Sequence, residues 1–254
     1  MEATRPTERF TGLSDLYSKA RPSYPPEIIQ WCLDLLTAPP DLIVDVGCGT
    51  GISTRAFAAR GHETIGIEPN AEMRAAAIAQ GSASYREGSS TSTGLPDSSA
   101  DLIIAAQAFH WFDIPPTLQE FARIGTPHAM CAAFWNIRGM ESAFMIGYER
   151  MLQKHSTEYE VNDRSTRTIA QLRSVLGETV REHAVHHMLT MDLTRLRTLT
   201  LSSSYVKHGV ADVPAFLAEL EKLFASHEKN GEVTMRYVTH AIAWPAHATT
   251  STIR

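Results

Sequence analysis

The stretch from Leu42 to Gly51 limits what this chain can fold into more than any other. Four apolar residues in its first five read as a buried strand. The glycines behind them force a tight turn into a helix opening near Ile52. With no Cβ at Gly47, Gly49 or Gly51, that turn lets a ligand come up against the backbone. Asp45 puts an unusual acid at the strand end. A second apolar run, Glu63-Thr64-Ile65-Gly66-Ile67, stops at Glu68, where a carboxylate can accept two hydrogen bonds from a ribose diol. Together these features specify a nucleoside-bearing ligand at the carboxyl end of a parallel sheet.

Two such ligands compete. A dinucleotide site wants Gly-x-Gly-x-x-Gly, whose turn and helix start cradle a pyrophosphate. The spacing Gly47-x-Gly49-x-Gly51 is one residue short of that, and Asp45 would lie as a negative charge beside a phosphate. S-adenosylmethionine has no phosphate, and its sulfonium and ammonium tolerate a neighbouring acid. A glycine triplet alone decides little. An atypical NAD(P)-dependent oxidoreductase and a non-catalytic S-adenosylmethionine-binding regulator are the alternatives to a methyl-transfer enzyme.

Further segments narrow the choice: Tyr17-Ser18-Lys19-Ala20-Arg21-Pro22-Ser23-Tyr24-Pro25, Gly66-Ile67-Glu68-Pro69-Asn70, Gly94-Leu95-Pro96-Asp97, Ala106-Gln107-Ala108-Phe109-His110-Trp111-Phe112, Trp135-Asn136 and Ser203-Ser204-Tyr205-Val206. With the glycine loop, they resemble class I S-adenosylmethionine-dependent methyltransferases of the small-molecule kind, methyltransferase type 11, the group that includes trans-aconitate methyltransferase-like proteins. The resemblance spans almost the whole chain. It implies an α/β fold: a doubly wound, mostly parallel, seven-stranded Rossmann-like sheet whose last strand runs antiparallel between strands five and six. It also implies S-adenosyl-L-methionine as donor, S-adenosyl-L-homocysteine as product, and no metal.

On that resemblance, Gly47, Cys48, Gly49 and Gly51 lie under the methionine and ribose of the donor, with Asp45 close to its ammonium. Glu68 takes the ribose hydroxyls and Pro69 flanks the adenine. Ser89 and Ser90 stand where the family usually has an acid reading the adenine edge. Gln107 sits at the methionine end. Tyr17 and Arg21 form a flap over the donor, and Tyr24, Trp111, Trp135 and Asn136 line the acceptor side. His110 is the candidate catalytic residue, since a histidine near neutral pH can remove a proton; lining the site is its alternative role. The missing Asp-Pro-Pro-Tyr-type motif disfavours an amide or nucleobase nitrogen as acceptor, leaving an O-nucleophile such as a carboxylate. Gly125-Thr126-Pro127-His128-Ala129 lacks the Pro-Gly-Gly turn usual before strand five, so the chain must enter that strand by another geometry.

Length and composition agree with one enzyme-sized domain. The 254 residues suffice for a substantial core, and 43% hydrophobic residues is ordinary for a globular chain. A net charge of −5 argues against a nucleic-acid partner. Cys32, Cys48 and Cys131, an odd and scattered set, suit free thiols in a reducing compartment. With no apolar leader and no bilayer-length run, a cytoplasmic protein is expected, away from membranes, as a monomer or homodimer.

The pattern predicts an arm and helix over 1–36, a donor-binding core over 37–136, a helical lid over 137–180 and a completion of the sheet over 181–245. Strand five is expected at Met130–Trp135. Asp113 should cap the helix before it, and His186 and His187 should be surface residues. Replacing Glu68 by Ala should weaken donor binding by about 1.5–3 kcal/mol, the range for hydrogen bonds to a charged group. Titration calorimetry with S-adenosylhomocysteine checks this, and unchanged affinity would overturn the ribose assignment.

Overall fold

The computed structural model describes residues 21–159 and 163–248; Tyr17 lies outside them. In chain order the elements are α1 (Pro26–Asp34), β1 (Ile43–Val46), α2 (Ile52–Ala58), β2 (Thr64–Ile67), α3 (Ala71–Gln80), β3 (Ser84–Arg86), β4 (Ala100–Ala106), a 3-10 turn (Phe109–Trp111), α4 (Ile114–Ile124) and β5 (Gly125–Arg138). Then come α5 (Ala143–His155), α6 (Asp163–Leu176), β6 (Arg181–Met191), α7 (Leu193–Leu201), α8 (Ser204–Gly209), α9 (Val213–His227) and β7 (Val233–Pro245).

Alternation along the central strands packs helices on both faces of the sheet. Val44, Ile103, Cys131, Ala133 and Trp135 join one buried cluster with α4 and α6. Ile43, Leu102, Ile104, Ala132 and Phe134 join another with α1 and α2. Strands covered on both sides need apolar residues at every position, which explains the unbroken runs at β1 and β4. The sheet has seven strands in the order β3-β2-β1-β4-β5-β7-β6. β7 alone is antiparallel to its neighbours, as the resemblance implies. Strand order reverses at β1, so the crevice opens beyond the carboxyl ends of β1 and β4.

Local chemistry sets several boundaries. Asn70 caps α3 by accepting from the Met73 amide at 3.0 Å. Asp113 precedes α4 without a side-chain cap, contrary to expectation. The chain leaves α4 directly into extended backbone at Gly125, with no glycine turn. Residues 126–129 bulge out between the pairs Ala100–Gly125 and Leu102–Met130, and Thr126 Oγ1 donates to Asp101 Oδ1 at 2.9 Å.

The segment expected as one lid divides in two. In α6, Ile169, Leu172 and Val175 pack on the sheet with Phe109, Trp135 and Trp244. By contrast, α5 joins α7, α8 and α9 in a third cluster, around Tyr148, Leu196, Val206 and Phe216, beside the site end of β7 at Met235 and Tyr237. The helical group near the crevice is therefore built from two separated stretches, and α8 adds a helix that the sequence reading lacked.

Gly66 shows how tightly β2 is packed beneath the glycine loop. A Cβ there would lie 2.6 Å from Tyr85 Cδ1 and 2.7 Å from Cys48 Sγ. Gly66→Ala should destabilise the fold by about 1–3 kcal/mol, the usual cost of overpacking. Urea unfolding checks this; a change below about 0.5 kcal/mol would mean that Tyr85 swings aside freely.

Candidate functional site

The glycine turn takes its shape from backbone that other residues resist. Gly47, Gly49 and Gly51 have φ of 71°, 55° and 76°. A Cβ on Gly47 would strike Ala108 Cβ at 2.7 Å, whereas one on Gly49 would project into open space along the crevice. Glu68 holds this turn in place. Its Oε2 accepts the Gly49 N–H at 2.9 Å and its Oε1 the Asn70 N–H at 2.8 Å. Burial to 8% exposure raises the Glu68 pKa, and the two N–H donors work against that rise. Each carboxylate oxygen keeps a second lone pair for a ligand.

A cleft of about 220 Å³ lies over this turn. Its donor side is walled by Gly47, Cys48, Gly49, Glu68 and Pro69, with Ser89, Ser90 and Gln107 around the rim. Gln107 follows β4 with φ of 56°, a left-handed conformation uncommon outside glycine, and its Nε2 donates to the Asn136 carbonyl at 3.3 Å. Ser89 and Ser92 pair across a tight turn, and Thr117 Oγ1 donates to Ser90 Oγ at 3.1 Å. The arm contributes Arg21, Pro22 and Tyr24. Tyr24 sits edge-on to Phe134, with ring centroids 4.8 Å apart.

Asp45, Trp135, His110 and Gly51 differ from expectation. Asp45 faces the α2 side of the sheet, wholly buried and outside the cleft lining. Its Oδ2 accepts from Ser53 Oγ at 2.6 Å and Thr54 Oγ1 at 2.7 Å, while Oδ1 is buried with no partner. Burial pushes its pKa up to about 6 against those two hydroxyls. Gly51 lies behind the lining against Tyr85.

Trp135 is fully buried because β5 does not end there; alternation turns Trp135 into the core and Asn136 and Arg138 towards the cleft. The Trp135 indole donates to His110 Nδ1 at 3.1 Å. That bond occupies the lone pair of the neutral ring and leaves the proton on Nε2, so His110 lacks an accepting nitrogen for base catalysis. Burial, and then the Arg164 guanidinium, push its pKa down to about 4. His110 lies behind the residues that line the cleft. Trp111 does line the cleft, with the Arg164 guanidinium 4.8 Å from its ring centre.

The far wall holds residues that the sequence reading did not assign. Arg138, Tyr148, Ser203, Tyr205, Met235 and Tyr237 all line it. Arg138 donates to Glu149 Oε2 at 3.3 Å, Tyr205 Oη at 3.2 Å and Tyr159 Oη at 2.8 Å, and Tyr159 donates to Glu149 through a short contact. Arg21 donates to Ser203 Oγ at 3.3 Å. Burial alone would raise the Tyr205 pKa; the Arg138 and Arg21 guanidiniums outweigh it and hold the phenol below its ordinary value. The signal for Arg138 was present in the sequence as the next same-face position after Asn136. Ser203 and Tyr205 lay in a segment already quoted for the resemblance.

The arrangement joins an acidic, glycine-built end to a cationic, phenolic end. Residues 44–133 match a family described as a methyltransferase domain. An uncharacterized methyltransferase of Mycobacterium tuberculosis is 36% identical over 132 residues, 51% of this chain and 52% of that protein. An uncharacterized methyltransferase of Schizosaccharomyces pombe is 31% identical over 147 residues, 57% and 58% of the two chains. The chain thus spans about half the length of the curated relatives it matches. A solved structure described as a type II methyltransferase from Anaeromyxobacter dehalogenans superposes with a TM-score of 0.71 at 22% identity, over 89% of this chain and 98% of that one. At that identity the likeness is one of fold.

Asp45, fully buried, and His110, half-buried, have opposite pH signatures. His110 stays neutral in the fold down to about pH 4, while the unfolded ring takes its proton near 6.5, so its contribution to stability is lost as pH falls through that window. Asp45 is protonated more readily in the fold, so its charged form is the destabilising one, and that penalty grows as pH rises from about 4 towards 6. In His110→Gln only the Asp45 signature survives of the pair. Relative to the parent, the variant should gain about 2 kcal/mol between pH 8 and pH 5. Urea unfolding at both pH values checks this, and parallel pH profiles would overturn it.

Proposed function

We propose that this chain, whose residues 44–133 match a methyltransferase domain, is a class I S-adenosylmethionine-dependent enzyme that moves a methyl group to an oxygen nucleophile of a small molecule, a carboxylate above all. The observation that carries this is the Glu68 carboxylate, tied to the Gly49 amide where a Cβ would meet only open space. The Glu68 carboxylate in the cleft lining favours a donor that carries a positive charge over one bearing phosphates. When bound, S-adenosylmethionine supplies an electrophilic methyl on a sulfonium.

Each part of the chain then has a role that needs no proton transfer. Glu68 would hold the ribose, with Pro69 against the adenine and Ser89 and Ser90 at its edge. Gln107 and the glycine turn would seat the methionine end. Arg138, Arg21 and Tyr205 would take the anionic acceptor, while Tyr24, Trp111 and Phe112 would exclude water from the space between. A carboxylate already has a free lone pair at neutral pH, so positioning supplies the catalysis. The neutral, occupied His110 fits this better than a mechanism needing a base.

The test is methyl transfer from radiolabelled S-adenosylmethionine to a panel of small mono-, di- and tricarboxylic acids, with phenols and amines as controls. Acids should be methylated, and Tyr205→Phe should raise the acceptor KM about tenfold, the equivalent of one hydrogen bond to a charged group. S-adenosylhomocysteine affinity should stay within about twofold, since Tyr205 is across the cleft from the donor turn. Turnover with amines only would overturn the acceptor class.

A further inference from the structure

Asn136 looks into the cleft from β5, and its amide orientation is settled by its neighbours. The Ser23 carbonyl, an acceptor only, lies 3.4 Å from Asn136 Nδ2, so the NH2 group must face it. Asn136 Oδ1 therefore faces Thr239, whose hydroxyl donates to it at 2.6 Å across the β5–β7 pair Asn136–Thr239. Thr239 is fully buried and has one proton, now committed. His187 Nδ1 lies 3.3 Å from the same hydroxyl and donates there, with the Val185 carbonyl as a second acceptor. This makes His187 the Nδ1–H tautomer, stacked on Tyr237 with ring centroids 5.4 Å apart. Its Nε2 is buried with no partner. His187, expected at the surface, is half-buried and bonded inward, while His186 is exposed.

The geometry points to a directional relay, His187 Nδ1–H to Thr239 Oγ1–H to Asn136 Oδ1, that presents the Asn136 NH2 group to the acceptor as a specificity-determining donor. Thr239 and His187 are its positioning residues. With one N–H on Ser23, the other is available to an acceptor oxygen. An amide held this way favours acceptors that offer lone pairs, a carboxylate or carbonyl oxygen, and rejects an ammonium or amide N–H, which would meet a donor head-on. The same bonds fasten the arm, since Ser23 lies between Pro22 and Tyr24, both of which line the cleft. This inference rests on the methyl-transfer reading for its functional part; the tautomer of His187 stands without it.

The test compares Thr239→Val with the conservative Thr239→Ser in the full chain. In histidine-labelled protein, long-range proton–nitrogen spectra at pH 7.5 should show His187 as the Nδ1–H tautomer in the parent and in Thr239→Ser. In Thr239→Val it should shift towards the commoner Nε2–H form. With the acid that turns over best in the carboxylate panel, Thr239→Val should raise KM about tenfold with kcat changed less than threefold, and Thr239→Ser should restore it. An Nε2–H tautomer in the parent overturns the relay, and so does an unchanged acceptor KM in Thr239→Val. Loss of S-adenosylhomocysteine binding by the parent protein would instead sink the donor reading and leave the tautomer result to judge the relay.

Discussion

The carboxylate of Glu68 joins the turn after β1 to the turn after β2 by accepting one backbone N–H from each. Beside it, the Gly47 and Cys48 amides donate to the Ile67 carbonyl at 2.8 and 3.2 Å, so backbone and carboxylate together fasten the two loops. The tie carries an electrostatic cost, because burial opposes the charge and the buried Asp45 lies close enough to raise its pKa further. Arg74 offsets part of this from outside, donating to the Glu68 carbonyl at 2.7 Å. The Cys48 thiol between the acids is held well above its ordinary pKa by burial and by both carboxylates, so it stays neutral and unreactive. This end of the cleft favours a cation and disfavours a second anion.

Across the cleft the balance reverses. Arg138 and Arg21 face inward with Glu149 as the acid that pairs with Arg138. A buried ion pair is a poor source of net stability, because desolvation takes back most of the attraction. Holding Arg138 in place takes Glu149 and two phenols, an arrangement better explained by what the guanidinium faces than by what it adds to folding. A cleft that is negative at one end and positive at the other suits the cationic donor and anionic acceptor proposed above.

The sequence revealed these two ends very unequally. The glycine turn and Glu68 belong to consecutive strands, so strand–turn–helix logic reads them directly, and the doubly wound sheet follows from the same apolar runs. The far end depends on β7 returning antiparallel beside β5, which sets Tyr237 opposite Arg138 and Thr239 opposite Asn136. No local spacing encodes that register. The misreading of Trp135 and His110 has one physical source. Taking β5 to end at Trp135 puts that ring at the opening, but the strand runs on to Arg138, and alternation turns Trp135 inward and draws His110 after it. Asp45 was misjudged for a related reason: on a four-residue strand its side chain shares the face of Ile43, towards the hydroxyls of α2.

These hydrogen bonds mostly fix orientation, and few of them could move a proton. His110 is neutral and capped by an indole, and the relay through Thr239 ends on an amide that cannot accept a proton at neutral pH. In the proposed methyl transfer, displacement at carbon requires collinear approach, and an error of about 1 Å in the acceptor costs about a hundredfold in rate. A threonine hydroxyl buried to fix one asparagine, and a glutamate buried to fix one arginine, suit that requirement.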